Sequence, residues 1–259
     1  MTRIRRRLCT AMVLSLAVMA GLAATAAADG PAVASATPGQ PGKATQLHWA
    51  VDGTQPPISG VIPTSLTVST PPGFVLDTKA AAKRCSLLNA RLNECPSASR
   101  IGAAVMTIHV TKPGGARDLP VSIKLYLGPH NSLMAVAFLA GVRVVPGSIS
   151  GANGIQITFN PLPVPPVIPQ VSYQFMGVTL DLGANRTIVH KVIRTRTRTI
   201  TRNGKRQKVR RRVVVRRIKH RIDLVRAPAS CSSGSWPFTA TLGLPNGAPP
   251  AVLTAPVAC

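Results

Sequence analysis

The dipeptide Asn203-Gly204 sits between two long runs in which Val, Ile or Thr alternates with Arg and Lys, spanning Val189 to Arg226. Both of its residues tolerate positive φ, and a two-residue loop of this kind matches the twist of the strands that it joins. The segment is therefore expected to be one long β-hairpin, with cross-strand partners whose numbers sum to 407. That register puts Thr199 opposite Lys208, Thr197 opposite Arg210 and Thr195 opposite Arg212 on one face. The other face pairs Arg198 with Val209, Arg196 with Arg211 and Arg194 with Val213. Nearer the base, Ile193 meets Val214 and Val192 meets Val215, so the apolar pairs are expected where the ribbon joins a body. Arms of this length at ~3.3 Å per residue reach roughly 35–45 Å.

The rest of the chain is punctuated by proline and glycine into short alternating runs, the pattern of strands and turns. Ala44 to Val51, Ser65 to Ser69, Ile101 to Val110, Val121 to Leu127, Arg143 to Val145, Gly154 to Phe159 and Val171 to Leu182 all read as strands. Leu133 to Leu139 is continuously apolar, which indicates a strand buried on both faces or a central one. Trp236 to Leu242 and Ala251 to Val257 flank Asn246-Gly247 as a final hairpin. Only Asp77 to Cys95 has helical character, enough for short turns. Asn160 to Pro169 is too rich in proline for a central strand. Aromatic residues make up 3% of the chain, so the core must come from Val, Leu, Ile and Ala. The expected fold is all-β and sandwich-like (immunoglobulin-like or related), with a long projecting basic hairpin and only short helical turns.

Residues 1–28 have the layout of an export signal. Arg3, Arg5, Arg6 and Arg7 precede an apolar run from Leu8 to Ala24, and Ala26 and Ala28 stand at positions −3 and −1 of a cleavage before Asp29. The alternative is a retained membrane anchor, since the run is just long enough to span a bilayer. Residues 29–43, rich in Ala, Gly, Pro and Ser, read as a flexible leader. The domain proper is then 44–259, with the basic hairpin 189–226 inserted in it. No later apolar run reaches spanning length, so a secreted or wall-associated protein is expected. Four cysteines follow the signal: Cys85, Cys95, Cys231 and Cys259. An even count in an exported chain implies disulfides. Of the three pairings, Cys85 with Cys95 and Cys231 with Cys259 closes the shortest loops. Zinc is disfavoured, because the spacings do not form Cys-x-x-Cys knuckles and no histidine clusters with them.

Charge is concentrated. The chain has 31 Lys and Arg against 7 Asp and Glu, and removing the signal arginines leaves a net +20. Sixteen of the remaining basic residues lie between His190 and Arg226, opposed only by Asp223. The candidate polyanion-binding set is Arg194, Arg196, Arg198, Lys208, Arg210, Arg211 and Arg212. Arg196 facing Arg211 is a like-charge pair, which destabilises a ribbon unless an anion relieves it. Candidate partners are an anionic cell-envelope polymer or a lipid surface; the bland alternative is a solvated arm that aids solubility. Nucleic acid is disfavoured: the arm has no aromatic residue for base stacking, and although a two-stranded ribbon fits a DNA major groove, export argues against that role.

No catalytic set stands out. The acids Asp29, Asp52, Asp77, Glu94, Asp118, Asp181 and Asp223 are scattered singly, and His48, His109, His130, His190 and His220 fall in no metal motif. No nucleophile elbow or phosphate-binding glycine loop is present, and Lys112-Pro113-Gly114-Gly115 reads as a turn. No cofactor is expected. A hydrolase assembled from scattered residues is the alternative class.

The chain reads Leu66-Thr67-Val68-Ser69-Thr70-Pro71-Pro72-Gly73-Phe74, then Cys85, then Cys95-Pro96-Ser97-Ala98-Ser99-Arg100-Ile101-Gly102. Ser230-Cys231, Ser235-Trp236 and the terminal Val257-Ala258-Cys259 follow the basic arm. This resembles a set of uncharacterised secreted proteins of high-GC actinobacteria. They share a Pro-Gly-Phe strand end, a Cys…Cys-Pro-x-x-Ser-x-Ile-Gly element and a C-terminal Cys-bounded hairpin. The resemblance implies an extracellular β fold and supports the local disulfide pairing. The long Arg/Thr arm lies outside the shared elements. The expected role is that of a cell-surface or wall-associated structural or binding protein.

Overall fold

The computed structural model describes residues 30–259 apart from 82, 139–140, 152, 163–167, 184 and 203–204. The export segment expected over 1–28, the Asn203-Gly204 loop and the middle of the proline-rich 160–169 stretch lie outside the described residues.

Fifteen strands dominate the described residues: β1 (Ala32–Thr37), β2 (Gln46–Asp52), β3 (Ser65–Ser69), β4 (Val75–Leu76), β5 (Arg100–Lys112), β6 (Gly115–Leu127), β7 (Ser132–Phe138), β8 (Val142–Ser150), β9 (Gln156–Phe159), β10 (Ser172–Leu182), β11 (Asn185–Arg202), β12 (Lys205–Asp223), β13 (Val225–Arg226), β14 (Ser235–Gly243) and β15 (Ala251–Ala258). Eleven of them form one antiparallel sheet in the order β1-β2-β10-β5-β6-β7-β8-β9-β3-β14-β15. Its first and last strands, β1 and β15, pack beside each other. The sheet therefore wraps around one main core. The all-β, sandwich-like expectation holds in this sandwich- or barrel-like form.

Period-2 alternation sends one residue in two into that core. In β15, Ala251, Leu253, Ala255 and Val257 are buried while the residues between them are exposed. In β2, Leu47, Trp49 and Val51 point inward. Four of the nine aromatics meet at one place. Phe74 meets Trp236 and Phe238 edge-on, with ring centroids 5.1 and 5.3 Å away, and Phe238 also lies 5.5 Å from Trp49. Aliphatic side chains fill most of the remainder, including Leu125, Leu127, Leu133, Ile157, Leu180 and Leu242, with Phe159 and Phe175 among them.

β7 is buried on both faces, as its unbroken apolar run requires. Leu133 and Ala135 face the main core, whereas Met134 and Val136 join an outer cluster with Cys85, Ala90 and Tyr126. The short helix α1 (Leu87–Arg91) supplies Ala90, and its first turn is capped by Ser86 Oγ, which accepts from the Asn89 N–H at 3.2 Å. The Cys85–Cys95 disulfide holds this cover in place, and the second disulfide joins Cys231 to Cys259 beside the C-terminal hairpin. Both bridges are the nearest-neighbour pairs.

Two expectations are corrected. The segment 29–43 is not wholly a flexible leader: β1 pairs with β2 from Ala32 opposite Val51 to Thr37 opposite Gln46, and Ala32 and Ala36 are buried. Alternating Ala and Ser carry little hydrophobic signal, yet they fit where the edge of the sheet meets β15. The basic hairpin also has different bounds, running from Asn185 to Asp223, while Arg226 belongs to β13 and pairs with Val75 of β4. Each arm is 18 or 19 residues long. At ~3.3 Å per residue the ribbon is about 55–60 Å long.

Candidate functional site

β11 and β12 form a two-stranded sheet of their own. Their register follows the sum of 407 over most of its length: Thr199 opposite Lys208, Thr197 opposite Arg210, Arg196 opposite Arg211, Thr195 opposite Arg212 and Ile193 opposite Val214. Arg202 pairs with Lys205, leaving two residues between the arms. One expected pair is corrected. Val192 lies opposite Arg216, not Val215, because a bulge between Val192 and Ile193 inserts Val215 unpaired. Bulges add one residue to one strand and increase the local twist.

The expected seating of the base is corrected as well. Ile193 and Val214 are 53% and 44% exposed, so this apolar pair stands in solvent and does not join the body. The attachment lies further down β12 and beyond it. Ile222 packs against the core, and Leu224, Val225 and Ala227 are buried in it. The Asp77 N–H donates to Leu224 O, and the Thr45 N–H donates to Val225 O. Arg226 pairs with Asp223 at 3.0 Å just outside this anchor. The charged outer ribbon is thus held at one end by ordinary core packing.

All seven predicted polyanion-binding residues lie on this ribbon with exposed side chains: Arg194, Arg196, Arg198, Lys208, Arg210, Arg211 and Arg212. Successive same-face residues of one strand stand about 6.6 Å apart. The cations therefore form regular columns. No acidic residue lies between Arg194 and Lys219. The ribbon can engage several anionic groups at once through multidentate guanidinium contacts.

The body contains pairings that sequence spacing did not reveal. His48 and Asp181 are opposite residues of β2 and β10, with Nδ1 2.8 Å from Oδ1. His109 and Asp118 face each other across β5 and β6 at 2.6 Å. The second pair could have been found by summing numbers about the Pro113-Gly114 turn, since Lys112 pairs with Gly115. The first, 133 residues apart in sequence, could not. Gly102 helps to seat it: a Cβ there would collide with Asp181 O, so only glycine lets β5 approach β10.

Ser35 stands opposite His48 on β1, completing a Ser35, His48, Asp181 row over three strands. Ser35 and His48 are not hydrogen-bonded among the described residues. The row crosses the outward side of a regular ladder, where β2 and β10 spend their N–H groups on neighbours at both sides. Acyl transfer needs free donors converging on an oxyanion, and this row offers none.

Two cavities of the described residues point to no particular chemistry. A cavity of about 60 Å³ inside the sheet is lined only by apolar side chains, among them Leu66, Ala104, Leu125, Phe159, Leu180 and Leu242. Nothing there could orient a polar ligand. A groove of about 700 Å³ near the ribbon's attachment includes Asp77, Lys79, Asp223 and Arg226. Its carboxylates are already engaged: Asp77 Oδ1 accepts from the Lys79 N–H, and Asp223 holds Arg226. No helix of the described residues is long and apolar enough to cross a membrane. No family model, curated protein or solved structure matches this chain.

Proposed function

We propose that this protein is an exported, envelope-associated binding protein whose disulfide-linked β body presents a cationic ribbon to an anionic polymer or lipid surface. One observation carries the reading. The register sets Arg196 directly against Arg211 in an outer ribbon that has no acidic residue to balance them. A two-stranded ribbon is only marginally stable in water, and opposed like charges weaken it further. An anionic partner removes that penalty. Export is supported by the signal-like layout of residues 1–28, by the disulfides, and by the resemblance to secreted actinobacterial proteins.

The test is to replace residues 194–213 by Asn-Gly, which keeps the Ile193 and Val214 pair as the new ribbon end. Retention is then compared on purified envelope polymers, anionic vesicles and duplex DNA. Loss of retention on the first two supports the reading. Undiminished retention on all three refutes it, and selective loss on DNA would assign the ribbon to nucleic acid instead.

A further inference from the structure

Apart from the exposed Ile193 and Val214 pair, which lies on the threonine face, the two faces of the ribbon differ. Alternation puts Thr195, Thr197, Thr199 and Thr201 of β11 across from Arg212, Arg210, Lys208 and Arg206. Each of these cations looks at a hydroxyl. The opposite face is built of arginine and aliphatic pairs. Arg198 faces Val209, Arg194 faces Val213 and Val192 faces Arg216. Arg196 and Arg211, the opposed like charges, lie on this same face between the first two pairs. Ile200 continues the row toward the tip.

Three aliphatic residues of this face are open to solvent, Val192 and Ile200 at 38% and Val209 at 41%, and Val213 is half-buried. A track for a hydrated polymer gains nothing from them, because the polymer offers no apolar phase. The interface of an anionic bilayer offers both phases, with phosphates above a hydrocarbon boundary that lies within about 5–10 Å. Arginine stems can lie along the aliphatic side chains while their guanidinium groups reach up to the phosphates. Charge complementarity then acts on the face that carries the unrelieved like-charge pair.

We propose that the arginine–valine face lies on the surface of an anionic phospholipid bilayer. Val192, Ile200, Val209 and Val213 sit at the boundary between headgroups and acyl chains, and Arg194, Arg196, Arg198 and Arg211 bind the phosphates. This rests on the polyanion reading above and narrows it to one partner. The competing account is that these aliphatics serve only as strand formers. It is separable, because threonine is also β-branched and keeps that preference.

The experiment compares the intact protein with a variant carrying Val192→Thr, Ile200→Thr, Val209→Thr and Val213→Thr. A second variant carries Arg194→Gln, Arg196→Gln, Arg198→Gln and Arg211→Gln. Each is titrated with vesicles of phosphatidylglycerol and phosphatidylcholine in equal parts, and eluted by salt from heparin, a polyanion with no apolar phase. The threonine variant should bind vesicles at least about tenfold more weakly, since four apolar contacts are lost, with unchanged elution from heparin. The glutamine variant should weaken on both. Unchanged vesicle binding by the threonine variant would overturn the bilayer assignment and leave the polyanion reading standing. An equal loss on heparin would also overturn it, because the substitutions would then be acting through the ribbon's fold. If the glutamine variant loses neither, the polyanion reading falls with it.

Discussion

Arg196 lies directly opposite Arg211, both exposed, in a ribbon whose outer part holds no carboxylate. The pair sets stability against binding. Arg211→Glu turns a repulsive cross-strand pair into an attractive one, worth about 0.2–1 kcal/mol. Amide exchange in the middle of β11 and β12 should slow, while retention on heparin falls. A substitution that slows exchange and strengthens retention together would contradict the account.

Thr70 offers a stability test inside the body. It is buried, and its Oγ1 accepts from the Ile155 N–H at 2.9 Å while donating to Pro71 O at 3.2 Å. Thr70→Val keeps the shape but leaves the Ile155 N–H without that acceptor. An unpaired buried donor costs about 1–3 kcal/mol. Urea denaturation should show that loss with an unchanged m-value.

The Cys85–Cys95 bridge fixes the cover over Met134 and Val136. Replacing both cysteines by serine should cost about 2–4 kcal/mol. Amide exchange should rise first in α1 and on β7. Ribbon-dependent heparin retention should be unchanged, because the ribbon is anchored elsewhere, at Leu224 and Val225.

Asp52 gives a pH prediction. Its carboxylate accepts from the Thr54 hydroxyl at 2.7 Å, from the Thr54 N–H at 2.9 Å and from Gln55 at 3.1 Å. The Thr54 hydroxyl is the foremost cause that holds its pKa below the ordinary aspartate value, against a small opposing effect of burial. Because the folded pKa is depressed, the stability it contributes is present above the unfolded value of about 3.9 and is lost as pH falls through the lower folded one. Thr54→Ala should raise the Asp52 pKa toward its ordinary value in a carboxyl NMR titration.

Much of this architecture was legible in the sequence, for identifiable reasons. Asn203-Gly204 fixes a hairpin sum, so Thr195 through Arg212 could be paired without coordinates. The sum failed at Val192 because Val213, Val214 and Val215 are identical neighbours, and alternation cannot show which of them is bulged. The apolar base was misplaced for a related reason. Period-2 patterning says which residues share a face, but not whether anything covers that face; here Leu224 and Val225 make the attachment. β1 was missed because Ala32, Ala34 and Ala36 are too small to stand out in a proline- and glycine-rich stretch. The His48 and Asp181 pair depends on strand order in the sheet, which places β10 beside β2 across most of the chain.

The central claim is that the ribbon binds anions by its charge. The direct measurement is the dependence of vesicle and heparin affinity on salt, for the intact protein and for the form with residues 194–213 replaced by Asn-Gly. A protein that displaces several counterions loses affinity steeply, and linearly in log terms, as salt rises. The account predicts a steep slope for the intact protein and a much shallower one for the shortened form. Equal slopes for the two proteins would contradict it.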